Sequence, residues 1–343
     1  MAEPGRVDAE LVRRGLARSR REAVALVEAG LVHRQGQVVR RAADRVDGDE
    51  DLAVDRPASD DAYASRAAHK LEGALRALDR AFPAPDHPAP DNPAAAPAGP
   101  LAVPVEGASC LDLGASTGGF TDVLLRRGAR RVVALDVGHD QIVDRLRKDP
   151  RVDVREGANA RDLVPADLPG PVDVVVGDLS FISLGHVLPA VARVVGPDAA
   201  VLLLVKPQFE VGRERLGTGG VVRDPEHMVD AVVGVARSAL AVGLRAVAVV
   251  PSPLPGPHGN REFLLRLLPS SGSGPGKADA AVAAAEVAAA ARAAVATPVA
   301  PPDDAWSPPP VPEVFVVGAR QRTTSVPGPV STPAPSTVLK EAP

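Results

Sequence analysis

The sequence predicts an α/β protein: a parallel, doubly wound sheet preceded by a small basic α+β module. Three observations predict it. Between residues 108 and 269, short Val- and Leu-rich runs alternate with helical patterns, as in parallel strands joined by crossover helices. A glycine-rich turn, Gly114 to Gly119, joins the first of these runs to an amphipathic segment. Ahead of them, residues 5–58 carry helical apolar spacing crowded with arginine.

The first unit spans 5–58. Val7, Leu11, Leu16, Ala23, Leu26 and Val27 place two short helices there, followed by a turn around Gln35-Gly36-Gln37 and a strand at Val38-Val39. Arg13, Arg14, Arg18, Arg20, Arg21, Arg34, Arg40 and Arg41 face only Glu22 and Glu28 within the 13–41 stretch. Such a face binds phosphate without regard to sequence. A solvated charged face is the alternative reading.

The second unit spans 61–269. It opens with one helix over 61–82 that contains Lys70. Residues 83–107 are too rich in proline for helix or sheet and are expected to form a mobile loop. Strands follow at 109–114, 131–136, 151–156, 172–178, 199–206, 245–250 and 261–268. From 270 to 343 the chain turns to Ala, Pro, Ser and Gly. Ala280 to Ala296 has helical propensity but only Ala and Val to bury, so a weakly ordered tail is expected.

Composition narrows the function classes. A hydrophobic content of 45% is ample for a core, and 2% aromatics means a core of Val, Leu and Ala. Net charge is −4, so nucleic-acid contact must come from a local patch. The single cysteine, Cys110, excludes an intrachain disulfide and a cysteine-based zinc site; no metal is expected. No apolar run approaches the roughly 18 residues of a membrane span. Met1 to Arg21 lacks a signal-peptide core, so a cytoplasmic protein is expected, with no membrane partner and no obligate protein partner.

The run Cys110 to Phe120 reads D-x-G-x-x-x-G-G, and the next strand ends in Asp136. An acidic residue about 20 positions after such a turn usually hydrogen-bonds ribose hydroxyls. A nucleoside-bearing cofactor is therefore expected at the carboxyl ends of the strands. Nicotinamide dinucleotides usually take G-x-G-x-x-G. The pattern here resembles the S-adenosylmethionine loop of class I methyltransferases, whose Rossmann-like sheet has an antiparallel last strand. The cofactor-binding set is Asp112, Gly114, Ser116, Gly118, Phe120 and Asp136. The competing reading is a Rossmann-like turn for another ligand.

Four charged residues form a second set. Asp178 and Lys206 end strand patterns, Glu262 opens the last one, and Lys70 lies in the preceding helix. An unpaired lysine at the end of a buried strand is costly, so Lys206 needs Asp178 or Glu262. A stabilising ion cluster is the plain alternative. The order Lys, Asp, Lys, Glu resembles the FtsJ-type 2′-O-ribose methyltransferases. That resemblance implies Lys206 as general base, Asp178 as its orienting carboxylate, and Lys70 and Glu262 as holders of the ribose, without a metal.

Longer strings narrow the resemblance. Arg6 to Arg20, with Gly30-Leu31-Val32 and Gly36, resembles the S4 RNA-binding fold. Together with Ser65 to Leu71, Leu113 to Thr121, Asp178 to Leu184, Val205 to Gly212 and Ser252 to Pro257, it identifies the chain as a member of the TlyA family over about 5–269. Membership implies methylation of cytidine ribose in the small-subunit, the large-subunit or both ribosomal RNAs, with S-adenosylmethionine as cofactor and ribosomal RNA or ribosomal subunits as partner. It also implies RNA contacts by Arg6, Arg14, Arg18, Arg20 and Arg21, and places Asn159 in the cofactor region. Where the family reads Gly before its lysine helix, Ala67 stands here. Two alternatives remain from the sequence: a non-catalytic RNA binder of the same fold, and a membrane-active haemolysin.

Overall fold

The computed structural model describes residues 5–14, 16–17, 20–28, 30–47, 50–54, 63–82, 101–256, 259–270, 277–298 and 310–318. In the N-terminal module, β1 (Gly5–Arg6) leads into α1 (Val7–Arg13) and α2 (Arg20–Glu28). Four short strands follow: β2 (Val32–Arg34), β3 (Gln37–Val38), β4 (Arg45–Val46) and β5 (Leu52–Val54). β1 pairs with β4, and β2 lies between β3 and β5, all antiparallel. Val7, Leu11, Ala23, Leu26 and Val27 pack with Leu31, Val32, Val46 and Leu52 as its core. These include five of the six apolar positions that carry the helical spacing; Leu16 packs against them partly buried.

The larger domain begins with α3 (Ala68–Ala81), shorter than the expected 61–82 because residues 63–67 enter as turns; residues 61 and 62 lie outside the described set. β6 (Ser109–Leu113), α4 (Gly119–Arg126), β7 (Arg131–Asp136), α5 (Asp144–Arg147) and β8 (Val152–Glu156) build one half of the sheet. β9 (Val172–Gly177), α6 (Leu188–Val194), β10 (Val195–Val205), α7 (Pro207–Glu210), α8 (Pro225–Ala241), β11 (Leu244–Pro251) and β12 (Phe263–Pro269) build the other.

Strand order is β11-β12-β10-β9-β6-β7-β8. β8, β7, β6, β9 and β10 run parallel, and β12 is antiparallel to both β10 and β11. Both faces are buried. Leu111, Leu113, Val175 and Leu203 pack on one side, and Cys110, Val174, Val176 and Leu202 on the other, the period-2 pattern of a sheet covered twice. The consequence for function is that the ends of β9, β10 and β6 align at one edge.

Two expectations need correction. The segment after 270 is not simply a weak tail. α9 (Lys277–Ala296) packs on α8 and β11, and β13 (Phe315–Val316) pairs antiparallel with β11 as an eighth strand. Small side chains let α9 lie close, so Val287, Ala290, Ala291, Ala294 and Val295 become buried without any large residue. Residues 271–276, 299–309 and 319–343 lie outside the described set. The Pro/Ala insert was expected to be mobile throughout. Residues 83–100 lie outside the described set, but Val103 and Val105 are core residues. Buried Arg266 on β12 donates to the carbonyls of Leu101 (3.3 Å) and Ala102 (3.0 Å), which ties this stretch to the sheet. No helix among the described residues is long and apolar enough to cross a membrane.

The packing of α9 is testable. Ala291→Asp places an unpaired carboxylate where exposure is 0%, whereas Val282 on the same helix is 59% exposed. Ala291→Asp is expected to destabilise by about 3 kcal/mol in chemical denaturation, and Val282→Asp by under about 0.5 kcal/mol. Equal, small effects at both positions would show that α9 does not dock.

Candidate active site

The glycine turn follows β6 and sits against the end of β9. Gly114 has φ +82°, and a Cβ there would lie 2.9 Å from the Asp178 carbonyl oxygen, so this crossing needs glycine twice over. Ser116, with φ 46°, continues the tight turn, and Gly118 (φ 98°) ends it at the start of α4. Asp136 closes β7 beside it. Its Oδ2 accepts the Ser116 N–H at 2.9 Å and its Oδ1 accepts the Gly138 N–H at 2.6 Å. The backbone N–H of Ala158 bonds the Asp136 carbonyl (3.1 Å), which brings Asn159 to the same edge. Asn159 accepts from Arg161 N–H at 3.1 Å.

Asp112 and Phe120 do not face this edge. Asp112 is fully buried and accepts the Thr121 hydroxyl at 2.7 Å; Phe120 is a core residue. They fasten α4 to β6. Burial pushes the Asp112 carboxyl up to about 7, with the Thr121 hydrogen bond opposing and the charge of Asp178 adding to the rise.

Three neighbouring strands and one helix converge on the second cluster. Asp178 follows β9, Lys206 follows β10, Glu262 precedes β12, and Lys70 projects from the first turn of α3. Lys206 Nζ lies 2.6 Å from Asp178 Oδ1 and 2.7 Å from Ser180 Oγ. Lys70 Nζ donates to Glu262 Oε2 at 2.6 Å. The sequence allowed either carboxylate for Lys206; the structure gives it Asp178 and gives Glu262 to Lys70. Burial disfavours the Lys70 ammonium, but Glu262 and Asp178 outweigh it and its pKa is raised. Burial likewise opposes the Asp178 carboxylate, but Lys206 and Lys70 hold its pKa below the usual range. The four residues thus form two ion pairs coupled through Asp178.

Local packing fixes these positions. A Cβ on Gly73, one turn beyond Lys70, would lie 2.7 Å from Pro253 Cγ, so glycine lets α3 press onto the loop before Glu262. That loop is closed by the Ser252 N–H on the Glu262 carbonyl (2.8 Å) and by Asn260, which accepts from Val222 N–H at 2.9 Å and donates to the Gly220 carbonyl at 3.1 Å. This contact holds α3 against the loop and puts Lys70 in the cluster.

The residue reading missed Ser180, Phe181 and Phe209. Phe181 is 83% exposed, has φ 64°, and its ring centroid lies 5.4 Å from that of Phe209. A phenylalanine that is left-handed and largely exposed, with its ring against Phe209, is strained, and it follows Ser180, which meets Lys206. The available signal was scarcity: six phenylalanines in the whole chain, one of them inside the Asp178 string.

In the basic module, Arg6 pairs with Asp8 at 2.9 Å. Arg14 pairs with Glu10 at 3.0 Å and donates to the carbonyls of Glu50 (2.6 Å) and Asp47 (3.1 Å), so much of its bonding is internal. Arg20 is exposed, as are Arg13, Arg40, Arg41 and Arg45. Arg18 and the side chain of Arg21 lie outside the described residues.

Comparison with known proteins matches this layout. An FtsJ-like methyltransferase family model covers residues 63–267, and an S4 domain model covers 5–52. A Mycobacterium tuberculosis protein named 16S/23S rRNA (cytidine-2′-O)-methyltransferase TlyA is 49% identical over 267 residues, 78% of this chain and 91% of that protein. Hemolysin A of Brachyspira hyodysenteriae is 32% identical over 264 residues, 77% of this chain and 99% of that protein. A Streptococcus thermophilus structure described as a hemolysin superposes with a TM-score of 0.58 at 33% identity, covering 85% of this chain and 95% of that one.

The buried Asp112 generates a pH prediction. Between its unfolded value of 3.8 and its folded value of about 7, the unfolded chain loses the proton while the folded protein keeps it. Its contribution to stability therefore falls as pH rises through that window, by at most about 1.4 kcal/mol per unit, and is constant above it. Asp112→Asn stays neutral. Its stability relative to the parent should climb from about pH 4 to about pH 7 and then level off in urea titrations. A gap independent of pH would mean that Asp112 is ionised in the folded protein throughout.

Proposed function

The chain belongs to the TlyA family of FtsJ-like methyltransferases, and from that premise we propose that it methylates the 2′-hydroxyl of cytidine in ribosomal RNA, using S-adenosylmethionine. The observation that carries the proposal is Lys206, held by Asp178 and Ser180 beside the glycine turn. A binding module has no use for two buried lysine–carboxylate pairs next to a nucleoside-type loop.

The residues at the β6–β7–β8 edge fit the cofactor. The turn at Gly114 already lies as close to Asp178 as a backbone can, so no side chain fills the cradle. Asp136 ends β7 beside this turn, with its oxygens oriented by the Ser116 and Gly138 N–H groups, and is the carboxylate that would meet a ribose hydroxyl. Asn159 lies at the same edge. When bound, S-adenosylmethionine supplies an electrophilic methyl group on a sulfonium. Everything else falls to the chain. Lys206 is placed to take the proton of the 2′-hydroxyl, and Asp178 and Ser180 aim its Nζ. Lys70 and Glu262 hold the ribose from the α3 side. Phe181 offers a face on which the cytosine ring stacks. Alignment of hydroxyl and methyl supplies much of the acceleration.

A second reading of Lys206 rests on its 2.6 Å contact with Asp178: an ammonium that stabilises developing charge without accepting the proton. The N-terminal module docks the RNA through its arginines, with Arg20, which is exposed, and Arg18 the foremost candidates.

Primer-extension mapping of ribose methylation on both ribosomal RNAs, with and without the enzyme, tests the reaction. In single-turnover assays with bound RNA, Lys206→Ala should lose about 10²–10⁴-fold in methyl transfer while RNA and cofactor affinities hold. Lys206→Arg should fail as well, since arginine stays protonated. Near-normal transfer by the alanine variant would overturn the mechanism, and substantial rescue by arginine would establish the second reading.

The docking role has its own check. Replacing Arg18 and Arg20 together should weaken RNA binding and lower the slope of log affinity against log salt by about 1–2. Cofactor affinity should be unchanged. An unaltered salt slope would remove both arginines from the RNA face.

A further inference from the structure

Glu210 lies outside the four-charge cluster, yet it ends a segment that faces the 178–184 loop along its length. Lys206 meets Asp178 and Ser180 at 2.6 and 2.7 Å. Phe209 meets Phe181 at 5.4 Å between ring centroids. Glu210 then takes two donors from the far end of the loop: the Ser183 hydroxyl on Oε2 at 2.6 Å and the Leu184 N–H on Oε1 at 2.9 Å. Residues 178–184 and 206–210 are thus fastened at both ends, with the reactive lysine at one end and Glu210 at the other.

The loop needs the second fastening. Phe181 sits at φ 64°, a conformation that costs about 1 kcal/mol or more for a residue with a side chain and persists only where its surroundings impose it. Freed at 183–184, the backbone at Phe181 relaxes to negative φ and carries Ser180 away from Lys206. Glu210 is half-buried. Burial pushes its carboxyl up, and Ser183 and Leu184 oppose that rise. The two donors it takes hold this half-buried acid in place.

We propose that Glu210 is a positioning residue for methyl transfer, clamping Ser183 and Leu184 so that Ser180 and Phe181 keep their places around Lys206. This rests on the reading of Lys206 as the reactive centre. The clamp is geometric and needs an acceptor for Leu184 and a partner for Ser183, which can donate or accept. Glutamine can supply both: its carbonyl takes the Leu184 N–H, and its amide donates to the Ser183 hydroxyl. Alanine supplies neither.

The test compares Glu210→Ala, Glu210→Gln and Ser183→Ala in the full-length protein, by single-turnover methylation at saturating RNA and cofactor, with RNA and cofactor affinities and thermal midpoints alongside. Expected for Glu210→Ala is a loss of about 10–100-fold in the single-turnover rate, with both affinities within about threefold of the parent. Glu210→Gln should recover most of the rate. Ser183→Ala should lose part of it and add little when combined with Glu210→Ala. If Glu210→Ala does not fold, Ser183→Ala alone carries the rate comparison. A lower thermal midpoint with an unchanged rate would make Glu210 a structural prop and overturn the proposal. So would a loss confined to RNA affinity, or a glutamine variant as slow as alanine, which would mean that charge and not geometry acts. No methylation by the parent on either RNA would instead defeat the underlying reading of the site.

Discussion

A lysine drawn into a low-dielectric interior must bring a carboxylate with it, and the architecture of this site follows from that requirement. Lys70 and Lys206 are both largely buried, and each has one carboxylate oxygen at 2.6 Å. To meet Glu262, α3 has to lie against the loop before β12, which is why Gly73 faces Pro253 without a side chain. To meet Asp178, which directly follows β9, Lys206 reaches back from β10, which runs two residues past the level of Gly177 because Gly177 pairs with Leu203. The ion pairs are costly as stability devices, since an apolar pair of similar volume would serve a core as well. Their place beside a nucleoside-type loop is what favours a functional role over a stabilising one.

The parallel sheet converts sequence spacing into this geometry. Strand ends that are distant in the chain become neighbours at one edge, and the order β12-β10-β9-β6-β7 lines up Glu262, Lys206, Asp178, the glycine turn and Asp136. The glycine turn and Lys206 therefore share one wall: the backbone of Asp178 touches the Gly114 turn while its side chain holds Lys206. In the methyl transfer proposed above, that shared residue would set the distance between donor and acceptor.

Much of this was legible in the sequence because strand periodicity and strand-end charges are local signals. All seven expected strands form, and the four charged residues do converge. Pairing was not legible. Lys206 had two candidate carboxylates, and only the placement of α3 assigns Glu262 to Lys70. Direction was not legible either: Asp112 and Phe120 belong to the motif yet face the interior, because a motif fixes positions along the chain and not the side of the sheet a residue meets. α9 was misjudged since alanine gains little by burial per residue. A long run of alanines against α8 and β11 gains by close approach, which propensity does not report. Arg14 was counted with the RNA face by its charge, while Glu10 and two backbone carbonyls engage it within the module.

The central claim is that the buried lysines and carboxylates exist as obligate pairs. A double-mutant cycle on Lys70 and Glu262, followed by urea denaturation at neutral pH, tests it most directly. Lys70→Met and Glu262→Leu should each destabilise by about 3–5 kcal/mol, since each takes from a buried charge its 2.6 Å partner. The double variant should be far more stable than the sum of the two losses predicts, approaching the parent. Two additive losses would contradict the account, because they would show that neither charge depends on the other.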